Sequence, residues 1–183
     1  MRLNVLKLEA DKILHELELL DLLNGYGEAR AVGSYALDLI VKRDVDVHLL
    51  VQTPDLLSVV DAIYHQLLEH EHVHEVRISD HRARGGVKIG IDSYPGKSGD
   101  WSIDIWVTDR LETTGFTLVD RMQGELTPER REAILRIKGD YYRNGQLRPG
   151  LSLLIYRAVI DKDVRSVEDF HRFLSNRGRQ DLA

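Results

Sequence analysis

Asp44 and Asp46 are one residue apart and flanked by valines, in the run Asp44-Val45-Asp46-Val47. On a strand, side chains alternate between faces, so the two carboxylates project together, roughly 6.6 to 6.8 Å apart along the chain, and the valines project the other way. Two carboxylates so placed call for cations between them. Oxygen-only ligands suit a hard divalent ion such as Mg²⁺ (or Mn²⁺); Mg²⁺ keeps several waters and is usually held by one or two carboxylates together with substrate phosphates. A little upstream, Val32-Gly33-Ser34 reads as the end of a strand turning into a short helix. Gly33 permits a backbone conformation closed to residues with a Cβ, so the amides at the helix start can approach a phosphate and meet it with the positive helix end. The pattern predicts a phosphate cradle at Gly33 and Ser34 facing a metal clamp at Asp44 and Asp46.

An apolar residue, Gly-Ser, the spacer 35–43 and then Asp-apolar-Asp-apolar resembles the signature of the nucleotidyltransferase superfamily, the DNA polymerase beta-like fold. That family adds a third carboxylate on a later strand between apolar neighbours, and Ile103-Asp104-Ile105 fits the place. The resemblance implies an α/β (α+β) architecture with a mixed sheet of about five strands. It implies two-metal transfer of a nucleoside monophosphate from an NTP to an acceptor, with release of pyrophosphate. Asp44, Asp46 and Asp104 would be both catalytic and metal-binding, and Gly33, Ser34 and Lys88 would hold the nucleotide. Similar small members modify antibiotics or partner proteins, which points to a small-molecule or protein acceptor.

One departure from the family stands out. Many members carry a basic residue shortly after Gly-Ser, whereas Tyr35-Ala36-Leu37-Asp38 supplies none. Lys88 is the first choice for the missing charge, because Val87 and Ile89 beside it would face the core and turn the lysine to the open face. Lys42, Arg43, Arg136, Lys138 and Arg143 are the other candidates. The departure favours a rival, a non-catalytic nucleotide-binding or protein-interaction module on the same fold, such as a toxin-antitoxin component. Against it, three clustered carboxylates repel one another and are costly without metal.

The elements that must position these residues are legible in the apolar periodicity. Leu3, Leu6, Ile13, Leu14, Leu17, Leu20 and Leu23 recur at helical spacing before Asn24-Gly25, predicting one long first helix. Strands are expected at 29–33, 44–51, 75–81, 87–92 and 101–107, with Gly85-Gly86 turning the third into the fourth. A short helix at 34–40 follows the Gly-Ser turn, and Thr53-Pro54 is expected to cap and start a helix running to Leu68. Beyond Thr113 the β signals fade, and helices are expected at 117–124, 128–142 with Thr127 as cap, 150–160 and 167–174, with Ser166 and Asp169 as a capping pair. The expected division is a catalytic core over 1–112 and a helical region over 113–183 that completes the cleft, with the tail from Asn176 fraying.

Other polar residues have plainer roles. His65, His70, His72 and His74 begin where a helix should end and are expected to fan into solvent or cap helix carbonyls rather than bind zinc or nickel, and His48 to pack near the site rather than ligate. Tyr141, Tyr142 and Tyr156 are expected as helix-packing residues.

Composition sets the remaining bounds. The 183 residues are 43% hydrophobic and 30% charged, without an apolar run long enough to cross a membrane, so a water-soluble cytoplasmic protein is expected. The start Met1-Arg2-Leu3-Asn4 leads into acidic residues rather than a secretory pattern. Without cysteine, disulfides and thiolate metal sites are excluded. A net charge of −5 and a pI near 5.9 argue against a long nucleic acid as partner, since phosphate contacts need a basic surface.

Overall fold

The sheet is built on two strands whose residues alternate between core and open face, apart from the buried Thr108 that ends the second. Strand β2 (Asp44–Val51) buries Val45, Val47, Leu49 and Val51, and β5 (Trp101–Thr108) buries Ile103, Ile105 and Val107. The period of two puts the other polar members of both strands on the opposite face. Strands β1 (Gly27–Val32), β3 (Arg77–His81) and β4 (Gly86–Tyr94) complete a five-stranded mixed sheet in the order β1-β2-β5-β4-β3. Only the central β2–β5 pair is parallel; the other three pairs are antiparallel. The computed structural model describes the backbone of residues 5–180 and the side chains of 5–176, so Leu3, the Met1-Arg2-Leu3-Asn4 start and the last tail residues lie outside it.

The chain divides into two compact units, Met1–Arg121 and Met122–Ala183. In the first, the apolar face of the sheet is covered by α1 (Val5–Glu16), α2 (Leu19–Asn24) and α4 (Leu56–Leu68), with Ile13, Leu14, Leu23, Val60, Ile63 and Leu67 buried in the same core as the strand residues. The expected single first helix is two helices. Glu18 takes a left-handed conformation, φ 45°, and the break lets both Leu17 and Leu19 turn into the core. Burying both side chains outweighs the cost of a left-handed non-glycine residue, which is roughly 1–2 kcal/mol.

Helix α4 starts later than expected. Its cap is Asp55, whose carboxylate accepts from the Ser58 N–H (3.2 Å) and hydroxyl (2.7 Å), while Thr53 Oγ1 accepts from the Asp55 N–H. Between β1 and β2 lies α3, a single turn over Gly33–Ala36, shorter than the expected helix because Asp38 takes a left-handed conformation, φ 55°, and ends it. The β3–β4 connection is a 3-10 turn, Arg82–Arg84, closed by Gly85 at φ +97°.

Helix α5 (Phe116–Glu125) spans the division between the units. The second unit packs α6 (Pro128–Arg143), α7 (Leu151–Lys162) and α8 (Val167–Gln180) around Ile134, Ile137, Ile155, Val159 and Phe170. Thr127 caps α6 by accepting from the Arg130 N–H at 3.3 Å, and Ser166 Oγ caps α8 by accepting from the Asp169 N–H at 3.1 Å. Tyr141 packs edge-on against Phe170, Tyr156 accepts a hydrogen bond from the buried Lys138, and Tyr142 is exposed. Among the described residues no helix is long and apolar enough to cross a membrane.

Candidate active site

Register decides what the alternation of β2 and β5 can do. Asp46 lies directly opposite Asp104 across the parallel pair and opposite Val32 across the antiparallel one, so the end of β1 and the first halves of β2 and β5 meet at one place. Asp44, Asp46 and Asp104 each bring a carboxylate oxygen within 4.8 Å of the others, and each is half-buried. Among the described residues this is the group of acidic or histidine side chains close enough to share an ion.

Two lysines temper the repulsion. Lys42 Nζ lies 2.6 Å from Asp44 Oδ2, and Lys88 Nζ lies 2.6 Å from Asp104 Oδ2. Asp46 bears the strain: burial first, then the charges of Asp44 and Asp104, push its carboxyl up to about 6. Asp104 Oδ1 is buried without a hydrogen-bond partner. Three converging carboxylates, one of them destabilised by burial and by the charges of the other two, are what a divalent cation would relieve, so the all-oxygen donor set fits Mg²⁺.

Gly33 follows Val32 directly and takes φ +63°. A Cβ there would come within 2.7 Å of Asp46 Oδ2, so both the backbone and the adjoining carboxylate require glycine. Ser34 is half-buried in the first turn of α3, where the opening N–H groups have no intrahelical partner. Tyr35, next in line, turns away and donates to Asp11 on α1 at 2.7 Å.

Lys88 stands on the open face, as expected from Val87 and Ile89, but beside the third carboxylate. Lys42, another of the six basic candidates, sits beside Asp44, and its spacing of two from that residue is the local signal for it. Arg43 lies along the Gly99 backbone. In the second unit, Arg136 pairs with Glu132, Arg143 with Asp140, and Lys138 is buried against Tyr156.

His48 shares the open face but serves the scaffold. Its Nδ1 accepts from the Gly115 N–H at 2.9 Å, and burial lowers its pKa to about 4, so it is a neutral acceptor. His70 and His72 flank the Tyr94 ring, with His70 Nε2 3.1 Å from the Glu16 carbonyl, and His65 lies near Asp61 on α4.

A mixed sheet of this order, with a Gly-Ser turn and carboxylates on its two central strands, is the DNA polymerase beta-like nucleotidyltransferase fold, and this chain has it. Similar solved structures include a Cid1 poly(U) polymerase mutant bound to MgATP, at 20% identity and TM-score 0.65 over 85% of this chain and 50% of that one. A cytoplasmic RNA terminal U-transferase matches at 21% identity and TM-score 0.61, over 84% of this chain and 47% of that one. The GLD-2/RNP-8 complex matches at 14% and 0.60, over 86% and 58%. The chain thus spans about half the length of these neighbours, and the likeness establishes the fold. No family model matches the sequence, and no curated protein matches it. Two of these neighbours are named for poly(U) and RNA ends, so the expectation against long nucleic acid, drawn from net charge, has no support in them.

Proposed function

We propose that this chain is an Mg²⁺-dependent nucleotidyltransferase core, which moves a nucleoside monophosphate from an NTP to an acceptor hydroxyl and releases pyrophosphate. The convergence of Asp44, Asp46 and Asp104 within 4.8 Å carries the proposal. Asp44 and Asp46 would hold the metal ions and, through them, the triphosphate. Bound there, the ions would neutralise the phosphates and stabilise the attacking and leaving oxygens of an in-line displacement.

The chain's own groups do the rest. Gly33 lets the backbone approach the phosphates, and the Gly33 and Ser34 amides and the Ser34 hydroxyl donate to them. Asp104 orients the acceptor, and its unpartnered Oδ1 takes the hydroxyl proton as the new oxygen–phosphorus bond forms and the bond to pyrophosphate breaks. Lys88 holds the other Asp104 oxygen, keeping the carboxylate aimed. The sequence pointed to a small-molecule or protein acceptor, and the names of the structural neighbours add a polynucleotide end.

One observation favours the non-catalytic alternative: Lys42 and Lys88 already neutralise two of the three carboxylates. The two readings separate in a thermal-shift titration with each NTP in Mg²⁺ and in EDTA, followed by pyrophosphate release over small-molecule, protein and RNA acceptors. Transferase action requires a shift with one NTP that depends on Mg²⁺, and release that depends on an acceptor. Equal shifts in EDTA and Mg²⁺, with no release, would leave the binding module.

A further inference from the structure

The open face of the sheet continues past the carboxylates. Trp106 follows Asp104 by two residues on β5 and projects to the same face, roughly 6.6 to 6.8 Å along the strand, the scale of one nucleoside. Its partner in register on β4 is Lys88, the residue bonded to Asp104. A Cβ on Gly86 would come within 2.6 Å of the indole, so the ring lies against bare backbone. His81, opposite Gly86 on β3, stacks beside it with centroids 6.0 Å apart and planes 28° from parallel. The indole Nε1–H is buried without a hydrogen-bond partner.

The hairpin that frames this pair is basic although the chain is acidic. Residues 77–88 carry Arg77, Arg82, Arg84 and Lys88 against the single carboxylate of Asp80. Arg82 is bonded to Asp80 and Arg77 to Asp92, while Arg84 is exposed at the tip. An aromatic pair beside a cationic track is how proteins hold single-stranded nucleic acid: bases stack and phosphates follow the charge.

We infer that this patch seats the acceptor strand, a single-stranded RNA whose terminal base stacks on the Trp106–His81 pair and whose phosphates cross the hairpin near Arg84. The terminal hydroxyl then reaches Asp104. The inference rests on the transferase function proposed above, and it names the acceptor class and the residues that select it. It also reverses the bearing of net charge on partners, because contact is made by a local basic hairpin rather than by the whole surface.

The test is binding of a short fluorescein-labelled single-stranded RNA to the whole chain in EDTA, without NTP, read by anisotropy and by tryptophan fluorescence. Only two tryptophans are present, and Trp101 is fully buried, so quenching on stacking reports Trp106. RNA is expected to bind and quench. Trp106→Leu should abolish the quench and weaken binding about tenfold or more, and Arg84→Glu, at an exposed site that cannot disturb the core, should weaken binding severalfold. Mg²⁺-dependent NTP binding should be unchanged in both variants. Absence of RNA binding, or binding without quench and insensitive to both variants, overturns the proposal. If RNA binds as described while NTP binding ignores Mg²⁺, the transferase function fails and the RNA seat stands; Mg²⁺-dependent NTP binding without RNA binding removes the seat alone.

Discussion

Asp46 is held in the less comfortable of its two charge states. Its pKa, raised from the ordinary carboxylate value to about 6 by burial and by Asp44 and Asp104, means that the folded protein binds a proton more readily there than the unfolded chain. Stability therefore falls as pH rises from about 4 to about 6, then stays lowered. In EDTA, Asp46→Asn should match the wild type near pH 4 and exceed it above pH 6 by on the order of 3 kcal/mol, measured by urea unfolding across pH. His48, lowered to about 4, has the opposite sign: its contribution is present above pH 6.5 and is lost as pH falls towards 4. It is common to both proteins and cancels in the difference. Added Mg²⁺ should remove the variant's advantage at pH 8, and an advantage that persists would argue against a metal at Asp46. Asp104 makes a separate prediction. Asp104→Asn should keep Mg²⁺-dependent NTP binding and lower transfer by roughly 10²-fold or more, the range expected when general-base action is lost. Transfer at nearly the wild-type rate would reduce Asp104 to a polar residue on the open face.

At the scale of elements, the turn from β1 into α3 is where sequence and site are most tightly joined. Gly33→Val places a β-branched side chain at φ +63° and 2.7 Å from Asp46 Oδ2. The backbone strain alone is of order 1–3 kcal/mol, so the variant should lose about 2 kcal/mol or more in urea unfolding. It should also lose at least tenfold in Mg²⁺-dependent NTP affinity. Normal affinity in Gly33→Val would show that the phosphates are held elsewhere. Ser34→Ala is the milder companion, expected to weaken NTP binding by about 1 kcal/mol, one net hydrogen bond, with the fold intact.

Across the whole molecule, charge is unevenly distributed, and that has a measurable consequence. A chain of net charge −5 that bound RNA through its overall field would repel it; one that binds through Arg84 and its neighbours contacts two or three phosphates. The affinity for single-stranded RNA should then fall with salt at a log–log slope of about −1.4 to −2.1. A much steeper slope would indicate a larger basic surface than residues 77–88 provide.

The site was legible wherever chemistry is written in local spacing. The alternation of Asp44 with Val45 and of Asp104 with Ile103 and Ile105 placed carboxylates on the open faces of two strands, and Gly33 marked a backbone only glycine tolerates. The capping of α6 by Thr127 was equally local, one side chain reaching an N–H three residues on. The breaks at Glu18 and Asp38 were not legible, because each is a left-handed conformation imposed on an ordinary residue by burial of its neighbours. Nor was the seat of Lys88, which depends on strand register. The pairing of Trp106 with His81 lies further still from the sequence, joining β5 to β3 across β4. Spacing along a chain determines which residues share a face; only pairing between strands distant in sequence decides that Asp46 stands opposite Asp104, and with it which lysine, tryptophan and histidine stand beside them.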